Sequence, residues 1–583
     1  MTFSLRRIAI GVSSLALVLA SAPRSAHAQL APPTSPPPIV PATPVVSPSA
    51  TPGVLASASP IATPSPTSVP SGLPRAIRLD RAKGGIVPGS SLVIAIAGGT
   101  GTLAARSTSP SVDAAVDAAG SRLTLFARTP GTATVTVTDA FGDSASIDIF
   151  VAPPAGFVPH DVTVTLGGNV SSAYAIARAN DEIARQIQAQ PKTTLDVHGI
   201  VLPSTLHAGD RVDATARVKL DGHGLFVDAI GATTVHVRVD AYPKLDPQVL
   251  LYSDDPERLD ASADGVLLRA TIDATRPARA YVYHVSDTPG RRLYLALLST
   301  SGPASVQVLG YGAGPENAFS FVGHRSTLQY LLERGAQESA VLDVSADAPL
   351  LVPLGGRAMR AGDLVAAIYD LRVASGTSVT ASVVAVTGDR DPVEVLAGKE
   401  IAGDGHGRRG EFSLLGVPPL ALAYAIGGAE PQPFAVGAPT IANLRAGGRA
   451  LGGDYGVLRE IALQLTNPTT APAVAYFYEQ PAGGNATTTM WFTGDAAPTE
   501  IACVRVPTNR YGIKAWQLAP GETRTVTGEY MTDGTSFFPL LFGVTGAPPS
   551  PPPGPYSPDA CTPKTPPPSA PPTTPPSPSP AAS

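Results

Sequence analysis

The chain is poor in charge and in aromatic rings. Asp, Glu, Lys and Arg make up 15% of its 583 residues, and Phe, Trp and Tyr 6%. The formal net charge is -5, and no large basic block interrupts the sequence. Nucleic-acid binding needs clustered positive charge to replace phosphate counterions. That absence excludes a nucleic-acid partner and argues against any acidic polyelectrolyte. Catalytic signatures are missing too: no G-x-S-x-G, S-x-x-K, H-E-x-x-H, P-loop or C-x-x-C occurs. The 9 histidines are dispersed instead of standing at metal-ligand spacing. No reaction and no cofactor is therefore expected from motifs. After the N-terminal run, no segment is long and apolar enough to span a bilayer, so no transmembrane anchor is expected.

What the chain has in quantity is Gly (57) and Pro (62). With low charge, this composition fits an all-β protein with many turns and low-complexity spacers. The N-terminus is built for export. Arg6 and Arg7 precede an apolar run from Ile8 to Ala20, and Ala26-His27-Ala28 puts small residues where a signal peptidase reads. Mature protein is expected to begin at Gln29. The alternative, a membrane anchor, needs about 20 apolar residues, more than this run supplies. Leu5 and Ala9 fit twin-arginine export poorly, and no Cys stands at the cleavage point.

The only 2 cysteines are Cys503, in the strand-like run Ile501 to Val506, and Cys561, in the proline-rich tail. In an oxidising compartment two leftover thiols usually pair. A Cys503–Cys561 disulfide would tie the start of the tail to the last domain. The alternative is two free thiols, one buried and one exposed.

The clearest local pattern lies between Pro130 and Val151. Ala133, Val135 and Val137 alternate with Thr132, Thr134, Thr136 and Thr138, the period of two of a half-buried strand. Asp139 to Asp143 carries Gly142 and reads as a tight reversal. Ala145, Ile147, Ile149 and Val151 then alternate with Ser144, Ser146 and Asp148. This predicts an antiparallel hairpin with one core face and one wet face. Further short strands at Ala76 to Leu79, Leu92 to Ala97 and Leu123 to Phe126 argue for a β-sandwich.

Ser109-Pro110-Ser111-Val112 and the run Pro130 to Val137 resemble the bacterial immunoglobulin-like modules of group 2. The resemblance covers residues 75–152 only. It implies a spacer or adhesive unit of a cell-surface protein, with no catalytic role. A similar Pro-Gly-Thr run occurs in small N-terminal modules of pilus-assembly and secretin-associated proteins. Gly99-x-Gly101-x-x-Ala104 mimics a dinucleotide fingerprint, but Arg106 to Pro110 cannot form the helix that must follow. It reads as a glycine-rich connection between strands.

The expected fold class is mainly β: tandem β-sandwich (Ig-like) domains with one small α+β module and disordered Pro-rich N- and C-terminal segments. The boundaries are 1–28 signal peptide, 29–74 Pro/Ser/Thr-rich disordered linker, 75–152 Ig-like sandwich and 153–243 α+β domain. Residues 244–390 form a β-sandwich, 391–546 a loop-rich connector with a C-terminal β-sandwich, and 547–583 a Pro-rich disordered tail. Ser171 or Ser172 caps a helix reaching about Gln188, with Ile176, Ile183, Ala184 and Ile187 on one stripe. Ser326 to Arg334 reads as a second helix closed by Gly335. Six strands between Ile461 and Tyr530 build the last domain, with Trp491 and Trp516 as core anchors.

Three polar groupings are candidate sites. Asp254, Asp255 and Glu257 share a loop and supply oxygens suited to calcium, or form a solvated turn. Asp404, His406, Arg408 and Arg409 combine groups that hold an anion or move a proton, or form a polar connector. His284 and His324 read as structural hydrogen-bonding residues. The leading expectation is an exported bacterial structural or binding protein of the envelope or extracellular space, with a cell-surface glycan or envelope protein as partner. One alternative is a carbohydrate-active or other hydrolytic protein with a site between the third and last domains, containing Asp254, Asp255 or His406. The other is a pilus or secretion accessory protein.

Overall fold

The computed structural model describes residues 76–405, 407–437, 440–505 and 507–551. The proline-rich segments, the signal region, His406 and Cys561 lie outside the described residues. The described chain is mostly β and divides into two compact units, with the boundary along the chain between Ala152 and Pro153.

The first unit is a sandwich of two four-stranded sheets. One runs in the order Arg78–Leu79, Ser91–Ala97, Arg122–Ala127, Val112–Val116; the other Lys83–Ile86, Ser144–Val151, Gly131–Thr138, Ala104–Ser107. The expected hairpin forms with Val135 opposite Ile147 and Gly131 opposite Val151. Its apolar set, Val135, Val137, Ile147 and Ile149, is buried against Ile94, Leu123 and Leu125. On the wet face Thr134 Oγ1 donates to Asp148 Oδ1 at 2.9 Å. Asp139 Oδ1 accepts from the backbone N–H groups of Phe141 and Asp143 and fixes the reversal at Gly142, whose φ is 90°. Strand Ala104–Ser107 follows the glycine-rich connection.

The second unit is organised on an eleven-stranded sheet. Its main path runs Thr194–His198, Arg211–Asp221, Ala229–Asp240, Asp161–Gly167, Ser339–Val344, Ala304–Glu316, Leu364–Ser375, Ala278–Ser286, Val249–Ser253, Arg409–Ser413. Strand Ser339–Val344 pairs with both Asp161–Gly167 and Ala304–Glu316. One sheet therefore runs through the stretch that the sequence divides at 243 and 244. Helix α1 (Ser172–Gln186) begins as expected, with Ser171 Oγ accepting from the Tyr174 N–H at 3.3 Å. Ala175, Ala179 and Ile183 bury against Val162, Val235 and Val237.

Helix α2 (Phe319–Ala336) is longer than the sequence suggests. It starts at Phe319 because Val322, Tyr330 and Leu331 bury against Leu250, Tyr252 and Ile368 of the sheet, and that packing outweighs local propensity. Nor does Gly335 end it. The Trp491 ring lies so close that a Cβ on Gly335 would sit 2.4 Å from its Cζ3. The left-handed C-cap is Gln337, with φ 57°. Gly335 is thus a packing residue, and Trp491 is a half-buried anchor against α2 and not a fully enclosed core residue.

A four-stranded sheet of Gly265–Asp273, Ser378–Thr387, Arg291–Ser299 and Leu350–Pro353 packs across a core of Leu251, Ala280, Val282, Leu295 and Val383. The last sandwich joins five strands to four, with Phe477, Phe492, Tyr530 and Phe542 at its centre. The connector that begins at 391, loop-rich by sequence, supplies strands to both neighbours. Arg409–Ser413 edges the large sheet and Leu420–Ala425 pairs in parallel with Leu458–Thr466. Among the described residues no helix is long and apolar enough to cross a membrane.

Buried charges join α2 to its surroundings. Arg279 Nε donates to Asp370 Oδ1 at 2.8 Å, and Tyr330 Oη donates to Asp370 Oδ2 at 2.8 Å. Arg334, near the end of α2, donates to Leu245 O at 2.8 Å and to Glu529 of the last sandwich at 3.2 Å.

Candidate functional site

The two polar clusters seen in sequence meet. Strand Val249–Ser253 pairs antiparallel with Arg409–Ser413, Ser253 opposite Arg409. Extending the ladder, the Asp254 N–H donates to Arg408 O at 2.9 Å. Arg408 then stands between two carboxylates. Its Nη1 lies 3.1 Å from Asp254 Oδ2, and its Nη2 donates to Glu257 Oε2 at 2.6 Å. The Asp404 N–H donates to Asp255 Oδ1 at 2.5 Å, and Asp404 Oδ2 accepts from the Glu257 N–H at 2.9 Å. Arg409 turns away and donates to Ile401 O at 2.7 Å. A guanidinium thus occupies the space between the carboxylates suggested for calcium. Among the described residues no group of three His, Cys, Asp or Glu side chains is placed to hold a metal ion.

Asp254 and Glu257 line a pocket of about 360 Å³. Its wall is aromatic: Tyr252, Tyr281, Tyr283, Phe319, Tyr455 and Phe537 all face it. The strand ladder explains the tyrosines. Tyr281 and Tyr283 are two apart on Ala278–Ser286 and share a face, and Tyr252 stands opposite Tyr281 on the parallel neighbour. Their rings lie 5.2 Å apart, and Tyr455 stacks on Tyr281 at 6.4 Å. The last sandwich closes the other side with Tyr455, Asn485, Thr535, Ser536 and Phe537. Tyr455 Oη donates to Ser536 O, and the Phe537 N–H donates to Asn485 O at 2.8 Å. The pocket therefore lies between the large sheet with α2 and the last sandwich, within the second compact unit.

The electrostatics centre on Asp254, only 2% exposed. Its Oδ2 accepts from Tyr252 Oη at 3.1 Å, while its Oδ1 has no hydrogen-bond partner. Burial pushes its pKa well above the usual carboxylate range, against the opposing pull of Arg408. Burial likewise raises the hydroxyls of Tyr252, Tyr281 and Tyr283, so all three stay neutral hydrogen-bonding groups.

His284 lies fully buried on the sheet beside this loop. Its Nδ1 faces Pro256 O at 2.8 Å and its Nε2 faces Ser253 Oγ at 2.9 Å. Burial lowers its pKa to about 4, which suits a neutral ring bracing the 254–257 turn. His324, which sequence sets before a helix, lies within α2 and touches Asp533 and Glu500. Neither contact has a local sequence signal. Cys503 is buried in the strand Thr499–Val504.

No family model matches the chain, and no curated protein matches it. Solved structures match parts of the chain at low overall similarity. The N-terminal Ig1-2 module of the Drosophila receptor protein tyrosine phosphatase DLAR is 10% identical, with 28% of this chain and 100% of that one covered and a TM-score of 0.13. For domains 4–9 of the surface layer protein SbsC the values are 14%, 33%, 35% and 0.14. For a tri-modular endo-β-1,4-glucanase from Bacillus licheniformis, complexed with cellotetraose, they are 16%, 29%, 39% and 0.13. The chain thus spans well under half of the latter two proteins.

Proposed function

We propose that the chain is an exported multidomain binding protein of the cell envelope or extracellular space, and that the tyrosine pocket takes a sugar unit of a surface glycan. One observation carries this reading: a buried carboxylate with an unpartnered oxygen lies in an aromatic-walled pocket between the large sheet and the last sandwich. A sugar presents an apolar C–H face to tyrosine rings and hydroxyl groups to carboxylate, guanidinium and amide. Tyr281 with Tyr455, and Asp254 with Arg408 and Asn485, supply both kinds of contact. The pocket falls in the size range of small-ligand sites, about 300–1,000 Å³. Asp254 and Glu257 both bind one guanidinium, which favours holding a ligand over cleaving it.

A second reading has one observation in its favour. Burial raises the Asp254 carboxyl in the direction of a proton donor, and Glu257 stands across Arg408 from it. Glycoside hydrolysis would follow from that pairing.

The test is a glycan screen with the intact protein, followed by titration of any hit against Tyr455→Ala and Asp254→Ala. Binding that falls at least tenfold in both variants supports the pocket. Binding unchanged in both, or no glycan bound at all, overturns it. Incubating hits with the protein and looking for shortened products separates binding from hydrolysis.

A further inference from the structure

The far wall of the pocket is the loop 533–537, which supplies Thr535, Ser536 and Phe537. The near wall includes Phe319 and Ser320, from the first turn of α2. One turn further along α2, His324 spans the two. Its Nδ1 lies 2.6 Å from Asp533 Oδ2, at the root of that loop, and its Nε2 lies 2.7 Å from Glu500 Oε2. His324 is 2% exposed and Asp533 fully buried. A neutral imidazole donates from one nitrogen only, so two ionised carboxylates on its two nitrogens call for the doubly protonated ring. Burial raises the Asp533 carboxyl, and the pull of His324 opposes that rise. Thr489 Oγ1 donates to the other oxygen of Asp533 at 3.0 Å.

We propose that His324 is a positioning residue for the pocket, a charged latch that holds the loop 533–537 against α2 through Asp533 and so sets the shape that a ligand meets. This rests on reading the pocket as a ligand site. The titratable groups facing the latch are Asp533 and Glu500, with Glu479 behind Asp533 and the Tyr281 hydroxyl on its pocket side. Burial lowers the His324 pKa, but the two carboxylates outweigh it and raise the pKa to about 9. Loss of that proton leaves the ring one donor for two carboxylates, so one of them faces an imidazole lone pair and the hold on the loop weakens.

The experiment is hydrogen–deuterium exchange with mass spectrometry on the full chain, reading peptides over 533–537 from pH 6 to 10 after correction for intrinsic exchange. In the wild type, protection should hold to pH 8 and fall at least tenfold by pH 10. His324→Gln should lack that protection at every pH and show no step, and it should bind any glycan hit about tenfold more weakly. Glu500→Gln removes the partly exposed partner, keeps Asp533 in place, and should move the step downward by about one pH unit. It carries the test with the wild-type series if His324→Gln fails to fold. A folded His324→Gln with wild-type protection, or a wild-type series without a step, overturns the latch. A step in exchange without glycan binding keeps the latch and removes the glycan reading.

Discussion

Replacing Asp370 by Asn tests whether buried charge holds α2 to the sheet. Asp370 is fully buried and accepts from Arg279 Nε at 2.8 Å, from Arg279 Nη2 at 3.3 Å and from Tyr330 Oη at 2.8 Å. Arg334 Nη1 lies 3.6 Å away. Asn keeps the shape and one acceptor but removes the negative charge paired with Arg279. Arg279, itself 2% exposed, is left with neutral partners: the amide oxygen, Gly456 O at 3.1 Å and the Tyr330 hydroxyl and ring. Breaking a buried pair in this way costs about 3–5 kcal/mol, because an uncompensated charge stays behind. With a urea m-value of about 3 kcal/mol/M, the midpoint should fall by roughly 1–2 M. Trp491 fluorescence is the appropriate probe, since its ring rests on Gly335 of the same helix. The double variant Arg279→Met/Asp370→Leu should recover most of the loss, since it removes both charges. A loss below about 1 kcal/mol in Asp370→Asn, on the same scale, would refute the reasoning and show that this buried pair is not what holds α2 to the sheet.

Glu479 gives a pH signature. It is fully buried, and burial raises its pKa from 4.5 to about 7. Between those values the unfolded chain has lost this proton and the folded chain has not. Stability should therefore fall by about 3 kcal/mol across that window as pH rises, then level off. Glu479→Gln should remove that slope and gain stability at pH 8 but not at pH 4, checked by denaturant titration at both; an unchanged slope counts against it. Gly335→Ala forces a Cβ into the Trp491 ring and should cost about 1–3 kcal/mol, with a shifted Trp emission maximum in the native state. Intact mass of the native protein should begin at Gln29 and lie two hydrogens below the reduced form if Cys503 and Cys561 pair. A mass equal to the reduced form removes that bond.

Much of the fold was legible because it is local. The hairpin through Gly131–Thr138 and Ser144–Val151 follows from alternation, and α1 from one capping serine and one apolar stripe. The strands Leu458–Thr466, Ala473–Pro481, Ala486–Phe492, Tyr511–Leu518 and Thr523–Thr532 contain the runs read from sequence. The end of α2 was not legible, because Gly335 looks like a stop until Trp491 is known to lie on it. The site was legible only in halves. Asp254 to Glu257 and Asp404 to Arg409 each stood out, but their meeting depends on a ladder between distant strands. Tyr281 and Tyr283 gave a signal of their own, two large hydroxylated rings at alternate positions on a strand otherwise mostly apolar. The Asp533 partner of His324 has no local trace, because the two are joined only by the docking of α2 on the last sandwich.

The eleven-stranded sheet also constrains the order in which the chain can mature. Leu166 finds its partner Ala340 only after the intervening strands have been made. Until then Asp161–Gly167 has Ala229–Asp240 on one side and nothing on the other. A growing chain thus carries an open ladder through much of its synthesis, an edge that invites pairing with other chains. A fragment cut at residue 243 would keep that edge permanently. The long-range closure also makes assembly slow, since loop entropy is lost before the pairing rewards it. The exposed side of Asp161–Gly167 is covered only when Ser339–Val344 arrives.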